Sequence, residues 1–240
     1  MDGKVSDRSR ERWRRRLYLP AYAVGQAAML ANVHVRTVSR WFYGYATPSG
    51  GRAARVLGDR PRGVALSYLQ LVEVSFVATL RHIGVTLERI RIARDYLARR
   101  FEVEHPFAQL GVRTDGADIF SALEDTEGPW VNRLVVASRY GQIVWADPIE
   151  ERIQQFDWDM DQQLAVRWYP RGRDAPVVVD PQIAFGAPIL RDSAIPTAVI
   201  RGRFEAGEEI EEIEGDFGVS PEAIRYALAF EGVESFAALS

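Results

Sequence analysis

The sequence predicts an α+β fold: a mainly helical N-terminal winged helix–turn–helix domain, a small mixed β segment, and a C-terminal three-helix domain of helix–turn–helix-like shape. Three observations predict it. Apolar residues follow helical spacing behind cap residues in 1–106. Short runs of strand character dominate 107–170. Ser220-Pro221-Glu222 then has the cap, the proline and the early acid with which a last helix begins.

These patterns also predict the domain boundaries. We expect a basic arm at 1–19, a helix–turn–helix domain at 20–106, a mixed strand/helix connector at 107–170 and a separate C-terminal domain at 171–240.

The helix–turn–helix is predicted from local signals. Tyr22–Leu30 is apolar and Ala-rich, Ala31-Asn32-Val33 fits a turn, and Arg36–Tyr43 fits a second helix. Glycines and prolines in Gly44–Gly63 then predict a loop or short hairpin.

Longer helices follow. Ser67 caps an apolar helix through Ile83, and Thr86 caps another to about Arg100. Beyond residue 106 the predicted strands are Leu134–Val136, Gln142–Trp145, Leu164–Tyr169 and Val177–Val179. The predicted helices are Ile149–Phe156, Pro196–Ala206, Ile210–Phe217 and the one that begins after Ser220.

Charge is divided unevenly along the chain. Residues 1–106 hold 19 of the 30 basic residues but 9 of the 33 acidic ones, so this part is net +10 and the remainder net −13. A basic part joined to an acidic part predicts two partners of opposite character, one of them nucleic acid.

The predicted second helix of the pair has the side chains that a recognition helix needs. Those expected on its exposed face are Arg36, Thr37, Ser39, Arg40 and Tyr43. Further contacts to the DNA backbone or minor groove are expected from Arg52 and Arg55 in the hairpin and from Arg14, Arg15 and Arg16 in the arm. A solvated basic surface is the alternative that stays open.

The helix behind Ser67 is apolar on more than one face, as at Leu69, Val72 and Phe76. Such a helix is buried either in its own domain or against a second subunit. Helix–turn–helix proteins usually bind paired half-sites on DNA, so a homodimer is expected.

The acidic C-terminal part is expected to bind protein rather than DNA, because its glutamates would be repelled by phosphate. Its candidate anchors are aromatic and basic side chains, namely Arg201, Arg203, Phe204, Arg225, Tyr226 and Phe230. The alternative for the aromatic residues is the core of a small domain.

The sequence contains no recognisable set of catalytic residues. We therefore expect that the chain is not an enzyme and needs no metal or cofactor. The three histidines lack zinc-motif or triad spacing, and P-loop and nucleophile-elbow motifs are absent. Asp157, Asp159 and Asp161 alternate without the glycine and later acid of a calcium loop, which favours a solvated polar loop.

The location of the protein is also predicted. The longest mostly apolar stretch, Leu66–Leu80, is too short to span a membrane and contains Gln70 and Glu73. The basic run Arg10–Arg16 is followed by Pro20 rather than by the apolar region of a secretory signal. We therefore expect a cytoplasmic protein without membrane contact.

Two segments resemble known families. Tyr22–Trp41, which reads Y-A-V-G-Q-A-A-M-L-A-N-V-H-V-R-T-V-S-R-W, resembles the helix–turn–helix of MerR-type regulators, and Leu66–Phe107 is similar to the helical segment that follows it in a subgroup of them. Asp180–Glu231 resembles a VapB-type antitoxin domain, formerly a domain of unknown function. The signature of that domain appears here as Asp180-Pro181, Gly186, Pro188, Ile195-Pro196, A-G-E-E-I-E-E-I at Ala206–Ile213 and V-S-P-E-A-I at Val219–Ile224.

Together the two segments resemble the long, two-domain VapB-type antitoxins of mycobacteria. The resemblance implies one half of a type II toxin–antitoxin pair, which neutralises a PIN-domain (VapC-type) ribonuclease toxin by direct binding and represses its own operon by binding operator DNA. Such a toxin holds Mg²⁺ in an acidic cluster, which an antitoxin silences by filling the groove or by placing an arginine among the carboxylates. The resemblance adds Arg191 to the toxin-binding candidates, although the family's usual Gly-Thr-Arg reads Asp192-Ser193-Ala194 here.

The competing interpretation is a stand-alone MerR-like transcription regulator whose C-terminal half senses a small molecule. A sensor needs an apolar pocket with a few convergent polar groups, and Trp145, Trp158 and Trp168 are candidates to line one.

Overall fold

The computed structural model describes residues 12–47, 50–109, 135–137, 143–145, 147–159, 161 and 163–233. Within these ranges the fold is α+β, as predicted. The chain divides into two compact units, Met1–Ala165 and Val166–Ser240. The first eleven residues of the predicted arm and residues 110–134 of the predicted connector lie outside the described residues.

The first unit begins with helices. They are α1 at 12–18, α2 at Val24–Leu30, α3 at Val35–Tyr43, α4 at Tyr68–His82, α5 at Leu87–Phe101, α6 at Pro106–Gln109 and α7 at Asp147–Gln154. Its strands are β1 at Tyr45–Ala46, β2 at Arg52–Ala53, β3 at Val135–Ala137, β4 at Ile143–Trp145 and β5 at Phe156–Asp159. The antiparallel pair β1–β2 confirms the short hairpin expected after the second helix.

Helix α4 forms the centre of the first unit. The Ser67 hydroxyl accepts a hydrogen bond from the Gln70 backbone N–H at 3.2 Å, and the Gln70 side chain accepts one from the Ser67 N–H at 3.0 Å, which closes a capping box. Every residue from Leu71 to Leu80 is buried. Of the two possibilities for this helix, the structure thus shows burial within its own unit.

A buried ionic cluster, formed by Glu73, Arg94 and His105, joins α4 to α5 and to the segment before α6. The Glu73 carboxylate lies 3.1 Å from both Nε and Nη2 of Arg94 and 3.2 Å from Nδ1 of His105. Arg94 also donates to the carbonyl oxygen of Glu104 at 2.7 Å. All three side chains of the cluster are almost inaccessible to solvent, so the Glu73 carboxylate is compensated by the Arg94 guanidinium rather than by water.

Among its described residues, the second unit combines three strands with three α-helices. They are β6 at Leu164–Trp168, β7 at Val177–Val179, β8 at Pro188–Leu190, α8 at Thr197–Glu205, α9 at Ile210–Phe217 and α10 at Pro221–Phe230. The strands form an antiparallel sheet of order β5-β6-β7-β8, and the division between the units falls within β6. Ser220 caps α10 through its hydroxyl, which accepts from Ala223 N–H at 3.2 Å, as the sequence predicts.

Some predicted elements need correction. The helix expected at Ile149–Phe156 begins at Asp147 and ends at Gln154, because Phe156 starts β5 and its ring stacks on Phe76 with centroids 5.7 Å apart. Asp157 and Asp159 consequently lie on this strand and not in a polar loop. The sequence did not predict α6 or β8.

No helix in the described ranges is both long enough and apolar enough to cross a membrane.

Candidate nucleic-acid interface and candidate partner surface

Helix α3 presents the predicted recognition surface of the first unit. Val38, Trp41 and Phe42 are buried on its inner face. The His34 ring caps its N-terminus, because Nδ1 accepts a hydrogen bond from the Arg36 backbone N–H at 3.1 Å. This packing fixes which side of the helix is exposed.

Arg36 and Arg40 are the exposed cations of α3. The Arg36 side chain has no hydrogen-bond or ion-pair partner among the described residues. The guanidinium of Arg40 lies over the Tyr45 ring at 5.2 Å from its centroid, at the start of the hairpin. Thr37 and Ser39 are partly buried on the flanks of the same helix.

Tyr43 is held in a cluster with two arginines. Its hydroxyl donates to the carbonyl oxygen of Pro61 at 3.2 Å and accepts from Nη1 of Arg60 at 2.7 Å. The Arg62 guanidinium lies 4.7 Å from the centroid of the Tyr43 ring. The cluster brings two cations from the segment that follows the hairpin to the C-terminal end of α3.

The remaining DNA-binding candidates are spread over neighbouring elements. Arg15 and Arg16 are exposed on α1, and Arg14 is partly buried there. Arg52 lies in β2. Arg55 forms an ion pair with Asp59, and both side chains are more than half exposed, so its positive charge is locally compensated.

A pocket of about 550 Å³ opens beside α3 in the first unit. It is lined by the turn between α2 and α3, the C-terminal end of α4, and α7. Its polar walls include Asn32, His34, Thr37, Thr79, Glu151 and Arg152. Arg152 donates from Nε to the Thr79 hydroxyl at 2.8 Å and so attaches α7 to α4. Trp158 and Trp168 are not among the residues that line this pocket.

In the second unit most of the candidate arginines are engaged internally. Arg201 binds Glu231 at 3.1 Å and lies 3.6 Å from Glu205. Arg203 donates from Nε to Glu208 at 2.6 Å and from Nη2 to Asp216 at 2.5 Å. These hydrogen bonds to Glu208 and Asp216 raise the pKa of Arg203 above its ordinary value.

Arg191 and Arg225 differ in the contacts that their side chains make. Arg191 donates from Nη1 to the carbonyl oxygen of Arg173 at 2.8 Å and lies 3.5 Å from Asp192. Arg225, on α10, is partly exposed, and its side chain has no hydrogen bond, ion pair or ring contact within the part of the chain that the structure describes. Of the four candidate arginines, Arg225 alone thus has its donors unengaged by described residues.

The aromatic candidates occupy different environments. Phe230 is 3 % exposed and Arg171 lies over its ring at 5.6 Å, so it is a core residue rather than a surface anchor. Phe204 and Tyr226 are partly exposed. Burial raises the pKa of Tyr226, and the nearby charge of Arg171 offsets this in part.

Two features of these surfaces were not found from the sequence. Phe185 is 88 % exposed, the highest value among the large apolar side chains that the structure describes. The available signal was an aromatic residue directly before Gly186, after the predicted strand Val177–Val179. Glu231, which anchors Arg201, gives no local signal because its partner is 30 residues away.

Comparison with known proteins gives three similarities. Residues 177–230 match the family described as "Protein of unknown function (DUF433)", a range that contains nearly all of the segment whose signature resembles the antitoxin domain. The chain is 27% identical over 226 residues to a Mycobacterium tuberculosis protein named "Putative antitoxin VapB45", which covers 89% of this chain and 94% of that protein. It is also similar to the X-ray crystal structure of Rv2018 from Mycobacterium tuberculosis, with a TM-score of 0.69 and 27% identity, covering 88% of this chain and 98% of that one.

Proposed function

We propose that this chain is the antitoxin of a type II toxin–antitoxin pair and a regulatory protein without catalytic activity. Its second unit binds and neutralises a PIN-domain (VapC-type) ribonuclease, and its first unit binds operator DNA and represses its own operon. The name of the relative that matches nearly the whole chain supports the antitoxin role. The resemblance of the N-terminal segment to MerR-type regulators supports the DNA-binding role.

The observation that carries the neutralising role is the unengaged guanidinium of Arg225 on an acidic unit. Residues 166–240 contain 7 arginines and 13 acidic residues, and the other three candidate arginines already contact carboxylates or carbonyls of their own unit. An arginine whose five donors are available can bind a carboxylate in bidentate fashion without first breaking an internal ion pair. We therefore propose that Arg225 enters the acidic cluster that holds Mg²⁺ in the toxin.

The DNA-binding role rests on α3 and its neighbours. Arg36 and Arg40 are exposed on the same side of α3, and the arginines around Tyr43 lie at its C-terminal end. We propose that α3 enters the major groove and that a homodimer places two copies on paired half-sites. Since α4 is buried within its own unit, we expect the dimer contact to use another surface.

Substitution of Arg225 tests the neutralising role. Arg225→Ala in the full chain should weaken inhibition of the ribonuclease encoded in the same operon by at least tenfold, because a charge-assisted contact to carboxylates is lost. Arg225→Lys should give a smaller loss, since the charge is kept without the bidentate geometry. The assay is cleavage of a fluorescent RNA at increasing antitoxin concentration.

Arg91 offers a matched control. It occupies the same place in G-V-T-L-E-R-I-R as Arg225 in G-V-S-P-E-A-I-R, on the first turns of a helix behind a capped glycine turn. Arg91→Ala should inhibit the ribonuclease as the wild-type chain does. Equal inhibition by the Arg225→Ala and Arg91→Ala chains, with both folded by circular dichroism, would show that Arg225 is not the inserted residue.

A second candidate function is a transcription regulator that senses a small molecule. The observation in its favour is the pocket beside α3, whose walls include His34 and Thr37 from the recognition segment. A ligand there would contact the segment that orients α3. The same assay separates the two functions, because a sensor without a toxin partner leaves RNA cleavage unchanged at every concentration of the wild-type chain.

A further inference from the structure

Two arginines of the first unit are held against the ring of Tyr43 at the C-terminal end of α3. The Arg62 guanidinium lies 4.7 Å from the ring centroid, and that of Arg60 lies 5.9 Å from it. Arg60 also lies 5.5 Å from the centroid of the neighbouring Phe42 ring. Guanidinium groups at these distances are attracted by the quadrupole of an aromatic ring, so the rings hold both cations in defined positions.

The Tyr43 hydroxyl fixes the segment that carries these arginines. It accepts a hydrogen bond from Nη1 of Arg60 at 2.7 Å and donates one to the carbonyl oxygen of Pro61 at 3.2 Å. Pro61 adds its own restriction, because the proline ring fixes its φ angle. The sequence places Tyr43 among the residues that touch DNA, whereas in the structure its hydroxyl is engaged by the chain itself. Tyr43 thus acts as a support for the two arginines.

No carboxylate forms an ion pair with Arg60 or Arg62 within the part of the chain that the structure describes. The nearest acid in the sequence, Asp59, is ion-paired with Arg55. Nε of Arg60 is buried without a hydrogen-bond partner among the described residues, and Arg62 is exposed. Two uncompensated positive charges beside one ring repel each other, and a bound anion would relieve this repulsion.

The two arginines continue a row of cations on α3. Arg36, Arg40 and Tyr43 are spaced as i, i+4 and i+7, which places them on one side of the helix. At 1.5 Å of rise per residue, the row is about 10 Å long. A row of cations along a helix is complementary to a DNA strand, in which phosphates follow one another at regular intervals. The arrangement therefore favours a DNA backbone over an isolated anion as the occupant.

We propose that Arg60 and Arg62 form a phosphate clamp that binds the DNA backbone beside the base pairs contacted by α3, and that Tyr43 is its positioning residue. The inference rests on the proposed DNA-binding role and deepens it. Phosphate contacts fix where a protein sits on a duplex but carry no information about sequence. The clamp therefore sets the register of α3 in the groove, while Arg36 and Arg40 contact base edges.

The experiment measures the binding of full-length chains to two duplexes over a range of salt concentrations by fluorescence anisotropy. One duplex is the region upstream of the gene for this chain, and the other has an unrelated sequence of the same length. Arg60→Ala combined with Arg62→Ala should make the slope of log K against log salt concentration shallower by about 2, because two phosphate contacts are lost. Affinity should fall by the same factor, about tenfold or more, on both duplexes.

Arg100→Ala is the matched control, because Arg100 is also an exposed arginine beside an aromatic ring, 5.5 Å from the centroid of Phe101. It should leave both affinity and slope unchanged. Circular dichroism establishes that each variant is folded. If the double variant does not fold, Arg62→Ala alone replaces it, with a slope that is shallower by about 1.

Tyr43→Phe tests the positioning role separately. It keeps the ring but removes the hydroxyl that holds Arg60. Binding to both duplexes should weaken by roughly three- to tenfold with nearly the wild-type salt slope, since the charge remains but the side chain must be ordered on binding. Wild-type affinity of the folded Tyr43→Phe chain would overturn the positioning role.

The outcomes distinguish the inference from the proposed function. If the wild-type chain binds neither duplex, the DNA-binding role fails and the clamp fails with it. If the wild type binds with a steep salt slope and the double variant matches it in slope and affinity, the DNA-binding role stands and the clamp is disproved. Loss of binding to the upstream duplex alone would mean that these arginines read bases, which also overturns the clamp. A change only in self-association, measured by sedimentation velocity, would make a second copy of the chain the occupant and overturn it as well.

Discussion

Glu73 connects parts of the first unit that are far apart in the sequence. Its partners Arg94 and His105 lie 21 and 32 residues further along the chain, and the three side chains are buried together. In the sequence, Glu73 is only an interruption of an apolar helix. No local pattern identifies partners at such a distance, so the cluster could not be predicted.

Removal of the Glu73 charge should destabilise the protein strongly. Glu73→Gln leaves the Arg94 guanidinium buried without a counter-charge, and we expect a loss of about 3–5 kcal/mol in the free energy of unfolding. Urea denaturation of the full chain, followed by circular dichroism, measures it. Glu88→Gln, on the exposed first turn of α5, is the control and should change stability by about 0.5 kcal/mol or less. A similarly small effect of both substitutions would contradict a structural role for the cluster.

The candidate arginines illustrate what residue type alone can and cannot predict. Arg201, Arg203 and Arg225 are equivalent in the sequence as cations on an acidic segment. The structure distinguishes them, because Glu231, Glu208 and Asp216 neutralise the first two. Which of the arginines form ion pairs depends on how α8, α9 and α10 pack together. The amino-acid composition carries no information about this packing.

The starts of the principal helices could be predicted from their caps. Ser67, Thr86 and Ser220 each accept a hydrogen bond from a backbone N–H of the first turn of the helix they precede. The short elements could not be predicted in the same way. Strand β8 has three residues, too few for an alternation, and it is defined by pairing of its backbone with β7. Strand β5 begins at Phe156, whose ring stacks on Phe76, a residue that is remote in sequence.

Gly44 joins the recognition helix to the hairpin, and alanine should not be tolerated there. Gly44 has a φ of +67°, and an added Cβ would lie 2.3 Å from the carbonyl oxygen of Ala53. Gly44→Ala should therefore lower the free energy of unfolding by roughly 1–3 kcal/mol and weaken DNA binding with it. Thermal unfolding and a DNA titration of the same sample measure both effects.

Gly25 provides the control for this substitution. It lies in α2, and an added Cβ would meet nothing within 4 Å. Gly25→Ala should leave stability unchanged or raise it by up to about 1 kcal/mol, since alanine is the better helix former. A Gly44→Ala chain as stable as the wild type would mean that α3 and the hairpin are not joined as described.

At the scale of the whole molecule, the charge distribution agrees only in part with the structural division. The excess of positive charge belongs to residues 1–106, whereas the first unit extends to Ala165 and includes the acidic residues after 106. The second unit contains 7 basic and 13 acidic residues. The sequence therefore predicted the sign of the net charge at each end of the chain. The boundary between the two units, however, lies within β6 and not where the charge changes.

Binding of the proposed operator DNA should depend steeply on salt. If about 6–8 phosphates are neutralised, the logarithm of the binding constant should fall with the logarithm of salt concentration with a slope of roughly −5 to −7. Arg36→Ala combined with Arg40→Ala should weaken binding about tenfold or more, because both cations are exposed on α3. Arg99→Ala, exposed at the end of α5, should have little effect. A salt slope near zero for the wild type would contradict the DNA-binding role of the first unit.

Titration of the cognate ribonuclease with the wild-type chain tests the central claim most directly. The ribonuclease encoded in the same operon is held at fixed concentration with Mg²⁺ and a fluorescent RNA, and the full chain is added in steps. An antitoxin should abolish RNA cleavage at a defined stoichiometric equivalence point and remain bound to the ribonuclease in size-exclusion chromatography. Cleavage that continues at the original rate in the presence of a large excess of the folded chain would contradict this function.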